Sequence, residues 1–275
     1  MYNLLKFLES TMPTPYNWSP FHTVFFILVV TASVLLCVFM RNCSEKTYKR
    51  ILLGAWITIL SLEIYKQIVF TFTALEDGTI GVDFQWYSFP FQLCSTPLYV
   101  LPIAIFAKNE KVRDIANGFL SFFSFFGGLA VMIFTGDVFI SYIGINVQTM
   151  VHHGTQVIVG LFIAVWNRKK ICNLYYLKSV IGYGVCLCFA CILNETLGRW
   201  VRNKGESFNM FYISHAGTNG MPILSSIQSS LRSSVGSFGN IVFFFIYALG
   251  FIIVGYVMYW LQYGFKYLKN KKEAK

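Results

Sequence analysis

Seven apolar runs, each near the ~20 residues that carry an α-helix across a bilayer, divide this chain at about 21–40, 51–74, 86–107, 115–135, 147–166, 180–197 and 238–261. Lipid offers a bare backbone no hydrogen bonds, so each run must satisfy its own N–H and C=O groups as a helix. The expectation is an all-α, polytopic membrane protein: one seven-transmembrane-helix bundle over residues 1–275, with no linker or internal repeat dividing it. Composition agrees. Charged residues make up 12 % of the chain, about half the ~25 % of a soluble domain.

Charge placement gives the orientation. The loops after the first, third and fifth runs, together with the tail, hold 16 of the 22 Lys and Arg, while Leu75–Gln85 and Gly136–Asn146 hold none. Lys and Arg mark cytoplasmic loops, so the amino terminus is expected outside and the carboxyl terminus in the cytoplasm, in the cell membrane. The net charge of +10 needs no nucleic acid to explain it, because the basic residues are scattered over several loops instead of forming one stripe. Cys37, Cys94, Cys186, Cys188 and Cys191 fall in apolar runs and Cys43 and Cys172 in basic loops, so no external disulfide framework is expected.

The first twenty residues form an amphipathic lead (Leu4, Leu5, Phe7, Leu8) without the continuous apolar core of a cleavable signal peptide. Ser19-Pro20 reads as a side-chain cap followed by proline at the first helical position. The long segment 198–237 is rich in Gly, Ser and Asn, with apolar residues at helical spacing from Met221 to Val235. It is expected to be an external or re-entrant segment, carrying a helix in the interface or folded back over the bundle, or else a surface loop with one amphipathic turn.

The third run stands apart. Phe89 to Tyr99 carries Pro90 and Pro97, with Pro102 beyond, and polar groups at Gln92, Cys94, Ser95 and Thr96. Proline frees a backbone carbonyl one turn back, and polar side chains at membrane depth mark packed polar contacts or a pocket. A rise of about 1.5 Å per residue puts Cys94 about 12 Å in from Trp86, His152 and His153 about 8–9 Å in from Val147, Asn194 and Glu195 within about 5 Å of a helix end, and Lys66 and Glu63 at about 13 and 18 Å. The cytoplasmic halves are almost wholly apolar. A polar cavity in the outer half of the bundle, with 198–237 near its mouth, is the expected site.

Each of these residues also has a plain structural reading. Glu63 and Lys66 are three apart and pair on one helix face. Glu195 and Arg199, four apart, do the same. His152 and His153 point about 100° apart, so one acts in the cavity while the other packs, or both serve as polar contacts between helices; Gln148 and Gln156 flank them. Cys94 is a small hydrophobe or, with a base beside it, a nucleophile for acyl transfer, with Asn194, Gln92 or freed backbone groups as oxyanion donors. Cys186, Cys188 and Cys191 read as packing. Two other readings stay open: a transporter or ligand-binding membrane protein with a polar path through Glu63, Lys66 and the histidines, and a metal-dependent membrane hydrolase with zinc on His152 or His153, His215, Cys94 and Glu195. The second lacks the HxxxH spacing usual on helices, so no metal or other cofactor is assigned.

Phe89-Pro90-Phe91-Gln92-Leu93-Cys94, followed by Leu101-Pro102-Ile103-Ala104 and, two runs later, Val151-His152-His153-Gly154, resembles the YwaF-like bacterial integral membrane proteins, which look related to the transmembrane protein 164 acyltransferases. The resemblance implies fatty-acyl transfer between membrane phospholipids, with Cys94 as the nucleophile and one of His152 and His153 as the general base. Gln92, Glu63, Lys66, Gln156, Asn194, Glu195 and His215 are the candidate supporting or substrate-binding residues.

Overall fold

A computed structural model describes residues 2–136, 138–216 and 222–268. Ser19 accepts a hydrogen bond from the His22 amide and Pro20 opens the first long helix, α2 (Pro20–Met40), as the Ser19-Pro20 signal demands; the short α1 (Tyr2–Leu8) precedes it. Ser44 caps α3 (Glu45–Thr71) through the Thr47 amide, so this helix starts six residues before the apolar run does. A hairpin of β1 (Phe72–Ala74) and β2 (Ile80–Val82) follows. Gly78, at φ 84°, lies in its turn, a conformation with little cost only for glycine.

The third run is not one helix. Two single 3₁₀ turns, Trp86–Ser88 and Leu93–Ser95, lead into a short α4 (Pro97–Phe106). Pro97 takes the first helical position, where its missing N–H costs nothing, while Pro90 keeps Phe89 out of the helical region, at φ −49° and ψ 132°. The apolar helical stretch Leu93–Phe106 spans about 20 Å at the helical rise, short of a ~30 Å hydrocarbon core. Among the described residues, six helices are long and apolar enough to cross a membrane, and this shorter one accompanies them. The third span, expected as a helix over 86–107, is therefore irregular in its first half.

Next come α5 (Glu110–Phe119), one π-turn (Leu120–Ser124) and α6 (Phe125–Ile133), which together make one span. They are followed by α7 (Ile143–Trp166), α8 (Asn173–Glu195) and the short α9 (Leu197–Asn203). The amphipathic α10 (Pro222–Val235) packs back on α11 (Phe238–Tyr263), so among its described residues the segment 198–237 holds most of α9 and all of α10; Met221 lies outside the described residues. The result is a polytopic helical bundle.

Helix order follows from burial. α7 buries 72 % of its most apolar stretch and packs against α2, α3, α6 and the π-turn, whereas α2 buries 11 % and α11 22 %, leaving their apolar faces outward. α7 is the axis. Its neighbours approach closely through glycines: a Cβ on Gly128 of α6 would lie 2.7 Å from the His153 carbonyl oxygen and 2.8 Å from the Gln156 Cβ. Gly128→Ala is expected to cost about 1–3 kcal/mol by overpacking and to shift the histidine face of α7, read as a lower unfolding midpoint in detergent. At the end carrying the basic loops, Lys170 pairs with Glu110 (2.7 Å) and Asp114 (3.0 Å), Lys178 with Asp114 (2.8 Å), and Arg113 with Glu45 (2.9 Å).

Candidate functional site around Cys94

The irregular half of the third run brings Cys94 against α7. His152 Nε2 lies 2.9 Å from the Cys94 carbonyl oxygen, and Gln156 Nε2 donates to the same oxygen at 2.9 Å. The four-residue spacing of His152 and Gln156 is one helical turn, so both reach one point. The rise-based depth of Cys94 does not apply, because residues 86–96 are not helical, yet these two bonds set Cys94 level with His152. A carbonyl only accepts, so His152 carries its proton on Nε2, and its Nδ1 is a bare lone pair. That Nδ1 is buried and has no hydrogen-bond partner.

His153 turns away from this contact: its Nδ1 donates to the Thr149 carbonyl of its own helix at 2.8 Å. The two rings lie 5.3 Å apart, edge to face. The His152 imidazole meets Cys94 at its backbone carbonyl and not at its sulfur. Cys94 itself is only partly buried.

Glu63 and Lys66 belong to the same cluster. Lys66 Nζ is 2.8 Å from Glu63 Oε1, which also accepts from Gln67 Nε2 at 2.7 Å, and Glu63 is 5 % exposed. Gln67 in turn donates to the Ser88 carbonyl at 3.0 Å, tying α3 to the 3₁₀ turn before Cys94. The pair is thereby linked to the segment that leads into Cys94. Glu63 Oε2, Gln67 Oε1 and Gln156 Oε1 are, like His152 Nδ1, buried and unpartnered. Unmade hydrogen bonds cost about 1–3 kcal/mol each, so four orphaned atoms in one neighbourhood mark a place built for more than packing.

Gln92 and Asn194 lie elsewhere in the arrangement. Gln92 Nε2 donates to the Asn209 carbonyl (2.9 Å) and its Oε1 accepts from the Phe211 amide (2.8 Å). Asn194 makes the same two-ended clamp on Met210, at 2.9 and 2.7 Å. Both amides are occupied with holding the segment 208–214, whose Phe208 and Phe211 pack on Phe89 and Phe91. The clamps hold Phe211 and Tyr212 at φ 57°, a strained conformation for bulky residues. Gln92→Ala and Asn194→Ala are each expected to cost about 1–3 kcal/mol by stranding buried backbone groups, and to raise amide hydrogen exchange at Met210 and Phe211 first.

Glu195 and His215 are separate from the cluster. His215 Nδ1 sits 3.1 Å from Glu195 Oε1, and Arg199 3.2 Å from Glu195 Oε2, all on exposed side chains. Among the described residues no three His, Cys, Asp or Glu side chains gather as metal ligands, so the zinc set of Cys94, a histidine, His215 and Glu195 is not brought together. The clamped segment also carries Tyr212 to the cluster, and α11 supplies Tyr247, whose buried hydroxyl has no partner; both rings are electrostatic neighbours of the Cys94 thiol. Nothing in the spacing singles out Tyr247, since α11 has several tyrosines.

A model of the TMEM164 family matches residues 16–224, which takes in Cys94, both histidines and the clamped segment. No curated protein and no solved structure matches the chain. The match covers well over half of the chain, and with six membrane-length apolar helices the chain is an integral membrane protein of the TMEM164 family.

Proposed function

We propose that this protein transfers fatty-acyl groups between phospholipids of the cell membrane through a thioester on Cys94. The observation that supports the reading most is that His152 is fixed through Nε2 to the Cys94 carbonyl while its buried Nδ1 stays unpartnered, a lone pair able to take up a proton on a residue that touches Cys94. The thiol proton passes to this base, the sulfur attacks the ester carbonyl of a donor phospholipid, and the tetrahedral oxyanion collapses as the lysophospholipid oxygen leaves with the proton. The acceptor lysophospholipid then gives its hydroxyl proton to the imidazole and attacks the thioester, and the departing sulfur recovers that proton. Lys66 and the unpartnered hydroxyl of Tyr247 are the groups suited to the oxyanion.

The test is acyl exchange between a labelled phospholipid and a lysophospholipid in proteoliposomes. Cys94→Ala is expected to fall to background and Cys94→Ser by at least about 100-fold, since a hydroxyl is the weaker nucleophile; full activity in both would overturn the mechanism. The unpartnered Glu63 Oε2 favours one competing reading, a proton-coupled path along Glu63, Lys66 and the histidines. That path predicts pH-dependent flux which survives Cys94→Ala and is lost in Glu63→Gln.

A further inference from the structure

A cavity of about 590 Å³ opens away from the cluster, between α1, the hairpin and Tyr142, with Lys6, Glu9 and Glu76 in its lining. It lies at the end of the bundle opposite the Lys- and Arg-rich loops. Its size falls within the range of small-molecule sites, roughly 300–1,000 Å³.

The walls are tied together. Tyr2 donates to the Leu75 carbonyl (3.0 Å), the Ala74 amide to Glu9 Oε2 (3.1 Å), Tyr65 to the Leu8 carbonyl (3.0 Å), and Met12 and Ile143 exchange backbone bonds with Ser141 and Ser10 (2.8 and 2.9 Å). The cavity is preformed and needs no ordering to take a ligand.

Its chemistry is specific. Glu9 spends Oε2 on the Ala74 amide, but Oε1 is buried with no partner. A carboxylate oxygen only accepts, so whatever completes it must bring a donor. Two carboxylates and one ammonium leave the lining one negative charge in excess, which selects a cationic donor, while Lys6 is placed for an anionic group on the same molecule.

We propose that this cavity binds a small zwitterion: a primary ammonium held by Glu9, with Glu76 adding attraction, and an acidic group held by Lys6. Ethanolamine phosphate carries this chemistry, either as a phospholipid headgroup or free in solution. The site stands independently of thioester chemistry at Cys94.

The experiment titrates the full chain in phosphatidylglycerol nanodiscs with O-phosphoethanolamine and, separately, with phosphocholine, followed by calorimetry. A parallel arm replaces part of the lipid with phosphatidylethanolamine and reads the thermal unfolding midpoint. Phosphocholine keeps both charges but has no N–H, so it is expected to bind at least about tenfold more weakly, the weight of one charge-assisted hydrogen bond. Glu9→Gln keeps an acceptor for the Ala74 amide and the side-chain size, and is expected to weaken phosphoethanolamine by a similar factor. Lys6→Met should weaken it too, while Cys94→Ala should bind like the unmodified protein. Saturation by the free compound identifies a soluble ligand, and a midpoint raised by the lipid alone, lost in Glu9→Gln, identifies a headgroup; either supports the site. Equal binding of both compounds, no response in either arm, or unchanged binding by folded Glu9→Gln would overturn it.

Discussion

Exchange of His152 for glutamine is expected to leave the protein folded while lowering acyl transfer about 100- to 10,000-fold, the range that a positioned acid–base group contributes. The glutamine amide nitrogen falls near the place of the imidazole Nε2, so the bond to the Cys94 carbonyl can be kept. What is lost is the basic Nδ1. His152→Ala loses both and is expected to fall at least as far, with a lower unfolding midpoint. His153, whose ring is spent on Thr149, is expected to matter less: His153→Gln should retain most of the rate. If His152→Gln kept the parental rate, the imidazole would be an anchor for Cys94 and nothing more.

The second large effect is on stability. Lys66→Met leaves the Glu63 carboxylate, 5 % exposed, with only the Gln67 amide for company. Removing one member of a buried pair costs about 3–5 kcal/mol, because an uncompensated charge stays behind. The double variant Lys66→Met, Glu63→Gln removes both charges and is expected to recover most of that loss, since a neutral pair no longer carries the desolvation penalty. Chemical unfolding in detergent distinguishes the two. Recovery of stability without recovery of exchange activity would give the pair a role at the thiol beyond packing.

Sequence reading reached the architecture because its signals are local. The Ser19-Pro20 cap and the start of the last helix at Phe238 depend on neighbours along the chain, and α2 and α11 run where those signals put them. The third run escaped because three prolines fit a kinked helix and an irregular lead-in equally well; only packing against α7 decides. The π-turn at Leu120–Ser124 left no mark in a Phe-rich stretch.

At the site, the pairing of Glu63 with Lys66 follows from their three-residue spacing, whereas the meeting of Cys94 with His152 and Gln156 depends on how the non-helical lead-in packs on α7. The duties of Gln92 and Asn194 did not, because they depend on a segment more than a hundred residues beyond Gln92 folding back onto it. Glu195 joins the candidates on its depth and His215 as a possible zinc ligand, but their exposed ion pair lies clear of the Cys94 cluster.

The most direct test of a thioester at Cys94 is intact mass of the protein purified from membranes and incubated with a phospholipid donor in the absence of acceptor. An added fatty-acyl mass that maps to Cys94, is released by neutral hydroxylamine, disappears in Cys94→Ala and builds up far more slowly in His152→Gln is the predicted result. An adduct on another residue, or an unmodified Cys94 in protein that still exchanges acyl chains between lipids, would contradict it.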